Sequence, residues 1–533
     1  MKAAPSHAAE RESTAQPAPP FPARLDRADG PWLATLLLIG VLALAGFAVH
    51  AHRVTGGQGG VPLDDAWIHF QFARNLARGD GFAFNPGQPT AGSTAPLWTL
   101  LLAGLYALGA RFPLGGQVLS AASYLFALGC TYALTKALTR RRGAAWVAAA
   151  VTALNGRFVW AGLSALETPL FAALSLLAVI SYLGHGGGRY RLRTAALFAL
   201  AALTRPEGVL LFGLSLGDAL LRARTPGPPR DPSVRGLVSR ATRLLPAVGV
   251  FAALVLPYVV FSLRSSGQPL PNTFSAKATF NFRPDLDFLG LAAIYLILDN
   301  PLLVPFLALG FDALLSRAPL LIAWSFGLPP VYAFLHATLY QHGRYLIPLI
   351  PFNAVIGIVG LLQARRLALR QGWRWPVSRA WGRMVPAILV LGATAWRLPT
   401  MAGLYGRNVQ NINHMQVAIG RWVAEHTPED ARLALNDIGA ITYLSERHIV
   451  DLAGLVTPEV TQILRAEDRT ARLIALMADR GVDYVIIFPD WFPGLAARTD
   501  LLQPVHRVTL QDRTITGGTT MVVYRADWSS LTE

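Results

Sequence analysis

A chain of 533 residues with 53% hydrophobic and only 15% charged residues lies outside the range of soluble globular domains, and a lipid environment accounts for the excess. The single cysteine, Cys130, excludes an intrachain disulfide and a thiol-ligated metal site, and it does not distinguish oxidising from reducing compartments. A formal net charge of +16 would suggest nucleic acid in a soluble protein. Here the excess is arginine gathered in short loops between apolar runs, which reads as membrane topology, with a lipid bilayer and no nucleic acid as partner.

Residues 1–30, rich in Ala, Pro and charge without apolar periodicity, are expected to form a disordered cytoplasmic tail. The first apolar run, 31–50, has the length of about 20 residues that spans hydrocarbon. No small-x-small cleavage site follows it, so it reads as a span rather than a signal peptide. Further runs fall at 114–137, 143–161, 168–183, 194–204, 207–221, 244–263, 300–316, 318–338, 345–362 and 384–400, giving eleven expected spans. Those shorter than about 20 residues must be extended at the interface or broken.

The loops orient these runs. Arg140 to Arg142, Arg189 to Arg193, Arg222 to Arg243 and Arg365 to Arg383 bound four arginine clusters. All four fall on the cytoplasmic side if the amino terminus is cytoplasmic and residues 95–110 lie along the outer interface. An odd number of spans then places everything after residue 400 in the periplasm. There, helical patterns at 411–425 and 469–480 alternate with strand-like runs at 432–436, 448–452, 484–488 and 521–524. The expected fold is an α-helical polytopic membrane protein at 31–400, with an outer catalytic loop at 51–113 and a small α/β periplasmic domain at 401–533.

The outer loop carries the densest chemistry. Residues 63–78 read as a helix opened by an acidic N-cap, with Gln71, Arg74, Asn75 and Arg78 on one arc and Phe70, Phe72, Ala73, Leu76 and Ala77 opposite. Asp65 and His69, one turn apart, fall inside the apolar arc, and a buried acid needs a partner or a task. Asp64 is a general-base candidate with an N-cap as its structural alternative, and two adjacent carboxylates repel, which raises the pKa of one. Cations on the same side are Lys277, Arg205, His342 and Arg344; snorkelling or ordinary solvation is the alternative for these, and pairing with Glu207 for Arg205. Glu167 is an acid at membrane level. Asp437 and Asp451 sit at strand ends, where turns place aspartate. Gly56-Gly57-Gln58-Gly59-Gly60 lacks a preceding strand and a following Lys-Ser/Thr, so it is a linker and not a nucleotide loop. No His or Asp cluster has spacing that asserts a metal, which leaves a divalent cation open.

The stretch Asp64-Asp65-Ala66-Trp67-Ile68-His69-Phe70, followed by Ala73-Arg74-Asn75-Leu76, Gly79-Asp80-Gly81-Phe82, Phe84-Asn85-Pro86-Gly87 and Pro96-Leu97-Trp98, resembles the first outer loop of GT-C glycosyltransferases. Within that superfamily it resembles in particular the bacterial branch that contains the terminal β-(1→2)-arabinofuranosyltransferases of mycobacterial cell-wall assembly. Matches continue at 164–168, 204–208, Pro271-Asn272-Thr273-Phe274, Gly343-Arg344-Tyr345 and 436–440, while Ala91-Gly92-Ser93-Thr94-Ala95 departs from the more polar segment expected there. The resemblance implies a polyprenyl-phosphate-linked sugar donor and a glycan or lipid acceptor. It implies Asp64 as the catalytic acid of the pair, whereas the helical wheel favours Asp65. It links the loop carrying Lys277 to the donor phosphate, where Arg344, Arg205 and His342 would join it. His69, Glu167 and Glu207 would then face substrate. A transporter or flippase of lipid-linked saccharides is the alternative, since membrane-level Arg and Glu also line transport paths; no internal repeat of the kind common in transporters is visible.

Overall fold

The structure is a computed structural model in which residues 25–184, 190–221, 234–269, 271–272, 281–335, 340–372 and 381–531 are described. Its helices run α1 (Gly30–Val54), α2 (Asp65–Arg78), α3 (Pro96–Ala107), α4 (Leu114–Thr139), α5 (Arg142–Leu154), α6 (Gly156–Gly162), α7 (Thr168–Leu183), α8 (Leu192–Thr204), α9 (Glu207–Leu221) and α10 (Val234–Ser266). They continue with α11 (Leu286–Asp299), α12 (Val304–Leu315), α13 (Pro319–Phe334), α14 (Ile350–Arg370), α15 (Trp381–Ala395) and α16 (Leu398–Ile412). The described residues of each of the eleven apolar runs lie largely on helix, and the chain is a membrane protein. By length and composition, five helical stretches among the described residues qualify as spans, or six if α11 and α12, bent by 101° at their junction, count as one. The remaining apolar runs make short helices such as α5, α8 and α13. At about 1.5 Å per residue these fall short of a hydrocarbon core of about 30 Å.

Two features depart from the expected pattern. The helix α11 lies in a stretch read as loop, because Asp285, Asp287 and Asp299 punctuate an apolar run of only 14 residues. The last residues of the supposed tail are folded: Asp29 is fully buried and, with Asp26, pairs with Lys136 (2.5 and 3.2 Å) and Arg142. Residues 1–24 lie outside the described residues.

The carboxy-terminal domain follows α16 through a π-helical turn, Asn413–Val417, and α17 (Ala418–His426). Its sheet has the order β2-β1-β3-β5-β4, with β1 (Arg432–Leu435), β2 (His448–Asp451) and β3 (Tyr484–Ile487) parallel, and β5 (Thr520–Ala526) and β4 (Leu502–Thr509) antiparallel. Between β1 and β2 stands α18 (Gly439–Ser445). The edge strand β4 is not apparent in the sequence because its residues after Leu502 are mostly exposed and include Pro504, where the register shifts.

Helix α2 joins the two parts. Ala66, Trp67, Phe70 and Ala73 enter the core of the membrane helices, whereas Phe72 and, beyond the helix, Phe84 enter the core of the carboxy-terminal domain with Ile419 and Leu433. Its polar arc faces protein: Gln71 Nε2 and Asn75 Nδ2 donate to the Phe84 carbonyl (3.0 and 2.7 Å), and Arg74 donates to the Tyr443 carbonyl and pairs with Glu446 (both 2.8 Å). A helix buried on both faces keeps its polar side chains only when they are satisfied. The amino-terminal end of α2 is thereby held fast between two cores.

Candidate active site

Successive residues on a helix point about 100° apart, so the two acids at the start of α2 diverge. Asp64 turns to the carboxy-terminal domain. It makes no side-chain capping bond within α2; its Oδ2 and Oδ1 accept the backbone N–H groups of Gly439 and Ala440, both at 2.7 Å, at the start of α18. A Cβ on Gly439 would stand 2.3 Å from the Asp64 carbonyl oxygen and 2.6 Å from its Oδ2, so only glycine permits this approach. Burial and the neighbouring Asp437 carboxylate raise the Asp64 pKa well above the usual range, against the pull of the two N–H groups. Asp437 in turn accepts from Gln416 Nε2 at 2.6 Å. The Asn436–Ala440 segment is therefore a seam against the start of α2 and more than a turn. Asp451 does form a turn: its buried carboxylate gathers the N–H groups of Ala453, Leu455 and Val456, and burial pushes its pKa up to about 6.

Asp65 turns to the membrane helices and pairs with Arg344 Nη1 at 2.6 Å, with its side chain 26% exposed. The Arg344 guanidinium lies 5.2 Å from the Tyr345 ring centre, and Arg205 lies 5.4 Å from the same ring. Arg205 is buried between two acids: Nη1 donates to Glu167 at 2.9 Å and Nη2 to Glu207 at 2.6 Å. The Tyr332 hydroxyl also donates to Glu207. The other Glu167 oxygen is 3.8 Å from His69 Nε2, while His69 Nδ1 meets Ser93 and Thr99 hydroxyls at 3.4 Å. Six predicted residues, Asp65, His69, Glu167, Arg205, Glu207 and Arg344, thus form one continuous network. The Arg205–Glu207 pairing held open in the sequence is present, with Glu167 as a second partner.

Among the described residues, His342 stands apart from this network, as Asp64 does. The His342 ring bonds Asn408 Oδ1 at 2.8 Å and packs edge-on against Trp160 at 5.3 Å, so it is not in the network with Arg205. Lys277 lies outside the described residues, although Asn272, close before it in the chain, docks on the loop between α2 and α3 through its N–H to the Ala91 carbonyl (3.2 Å). Arg157, absent from the sequence candidates, donates to the carbonyls of His342 (2.8 Å) and Gly343 (2.9 Å) and pairs with Asp299 at 2.8 Å. Its signal was an arginine inside the apolar run 143–161. Among the described residues no group of three or more His, Cys, Asp or Glu is placed to hold a metal ion.

The arrangement of a helical membrane part, an acid-bearing loop helix and a carboxy-terminal α/β domain is a fold shared with solved structures of GT-C glycosyltransferases. ArnT from Cupriavidus metallidurans is similar in its apo state, with a TM-score of 0.57 at 15% identity over 91% of this chain and 97% of that one. The same protein bound to undecaprenyl phosphate gives 0.58 at 16%, over 92% and 98%. The arabinofuranosyltransferase AftD from mycobacteria gives 0.51 at 15%, over 94% of this chain and 42% of that one. The Archaeoglobus fulgidus oligosaccharyltransferase gives 0.50 at 12%, over 92% and 73%. Residues 407–531 match a family described as a domain of unknown function, DUF8728. No curated protein matches the chain.

Proposed function

We propose that this protein is an inverting glycosyltransferase of the bacterial inner membrane, moving a sugar from a polyprenyl-phosphate donor to a cell-envelope glycan or lipid acceptor on the periplasmic face. The observation that carries the reading is the Asp65–Arg344 pair, at 2.6 Å, beside a second buried arginine. Transfer requires a base for the acceptor hydroxyl and cations for the phosphate that gains charge as it leaves. Asp65 is the base in this reading, and Asp64 ties the start of α2 to α18. Arg344 and Arg205, with Lys277, which follows α10 in the sequence, take the phosphate, and His69, Glu167 and Glu207 orient Arg205 and the sugar. The likeness to ArnT bound to undecaprenyl phosphate supports a donor of that chemistry.

The test is mass spectrometry of lipid that co-purifies with the protein, followed by a transfer assay with that lipid. A polyprenyl-phosphate sugar consumed in the presence of acceptor is the expected result. The same lipid moved across a vesicle bilayer without loss of its sugar would mean a flippase.

The proposed topology has its own check. Cysteines introduced at Gly81 and Asp512 are expected to react with an impermeant reagent from the periplasm, and one at Gly236 only from the cytoplasm. The arginine asymmetry motivates this, and so do the contacts that bind residues 64–85 to the carboxy-terminal domain. Cytoplasmic labelling at Gly81 would move the proposed site to the other face.

A further inference from the structure

Immediately before Arg344 the backbone makes a turn of unusual shape. Gln341, His342 and Gly343 all have positive φ, at 57°, 63° and 62°. The left-handed region is poorly tolerated by residues with a Cβ, and consecutive residues there persist only when their surroundings hold them. Here the surroundings are identifiable. Arg157, 4% exposed on α6, donates Nε to the His342 carbonyl and Nη2 to the Gly343 carbonyl, and Nη1 pairs with Asp299. Its guanidinium lies 4.3 Å from the centre of the Tyr295 ring. Helix α6 is fixed in turn by Asn155, whose side chain accepts the Phe158 N–H at 3.0 Å. A Cβ on Gly343 would come within 2.9 Å of both Arg157 Nη2 and the Tyr295 ring, so the clamp and the glycine fit only each other.

We propose that Arg157 is a positioning residue for the donor-phosphate site, holding the left-handed turn 341–343 so that Arg344 is presented to the phosphate. The proposal rests on the reading of Arg344 as a phosphate ligand. Arg157 acts through backbone carbonyls and an ion pair on the far side of the turn. Two carbonyls and one carboxylate are met by three arms of one planar guanidinium, a geometry that lysine does not reproduce. Once unclamped, the turn relaxes toward right-handed conformations and Arg344 shifts, and a charge-assisted pair is sensitive to displacements of well under an ångström.

The experiment is a double-mutant cycle read by binding of undecaprenyl phosphate to the full-length protein in nanodiscs. Arg157→Lys, which keeps the charge opposite Asp299, is expected to weaken binding about tenfold, with Michaelis constant for donor rising more than turnover falls. In the Arg344→Ala background the same change is expected to have no further effect, because the residue it positions is gone. Gly343→Ala serves as a second, independent disturbance of the turn with the same expected pattern, and covers the case in which Arg157→Lys folds poorly. If Arg344→Ala weakens binding while Arg157→Lys and Gly343→Ala do not, the positioning role fails and the phosphate site stands. Effects of Arg157→Lys and Arg344→Ala that simply add would likewise overturn it. Unchanged binding in Arg344→Ala would overturn the phosphate site, and this proposal with it.

Discussion

Asp65→Asn is expected to abolish sugar transfer while tightening the binding of undecaprenyl phosphate. The first half follows from the reaction: a sugar hydroxyl is a weak nucleophile until a base takes its proton, and a positioned base contributes about 10² to 10⁴ in rate. Asparagine keeps the shape but does not accept the proton. The second half follows from the pairing with Arg344 at 2.6 Å. A donor phosphate must compete with the Asp65 carboxylate for that guanidinium, and a charge-assisted bond contributes about 1.5–3 kcal/mol. A neutral amide competes less well, so affinity rises several-fold. In the proposed reaction the same exchange gives the pair a role: phosphate arriving at Arg344 would release Asp65 toward the acceptor, so that base and donor become ready together. Isothermal titration with undecaprenyl phosphate and a radiolabel transfer assay on one preparation read both halves. Transfer at the parental rate would remove Asp65 as the base, and unchanged affinity would remove the competition.

The membrane helices and the chemistry of the site differ in how far the sequence reveals them. Long apolar runs such as 114–137 mark helices directly, because hydrocarbon demands internally bonded backbone. The helix Leu286–Asp299 escapes that reading since three aspartates interrupt or flank it. Ionisable residues in apolar context were the most informative local signal. Asp65, Glu167, Arg205 and Arg344 were each conspicuous alone, and the network joins them. Partners far along the chain were not legible. Nothing in Asp64 announces Gly439, and nothing in the polar arc of α2 announces that it will be buried against Tyr443 and Glu446. His342 shows the converse, a residue of suitable type beside Arg344 whose ring is taken by Asn408, and Arg157 is conspicuous as an arginine in an apolar run while its partners, carbonyls of a turn no pattern predicts, are not legible.

Asp64→Asn is expected to loosen the junction between the start of α2 and the carboxy-terminal domain, while each molecule that remains folded transfers sugar at close to the parental rate. Both carboxylate oxygens accept backbone N–H groups at 2.7 Å, from Gly439 and Ala440. An amide offers one oxygen and sets its NH₂ against the other N–H, leaving a buried donor unmet at a cost of about 1–3 kcal/mol. The loss shows in the thermal unfolding midpoint and in faster proteolysis of the carboxy-terminal domain. Its pH dependence identifies the cause. Burial, and next the charge of Asp437, hold the Asp64 pKa well above the usual carboxylate range, so the folded state keeps this proton more tightly than the unfolded chain. The stability this group contributes is therefore complete below about pH 4 and declines as pH rises through its raised value. Asparagine does not titrate, so the variant lacks that decline, and the gap between parent and variant narrows as pH rises. A fully stable Asp64→Asn protein without transfer activity would show that the first acid of the pair is the base, and would leave Asp65 as the counter-ion that keeps Arg344 in place.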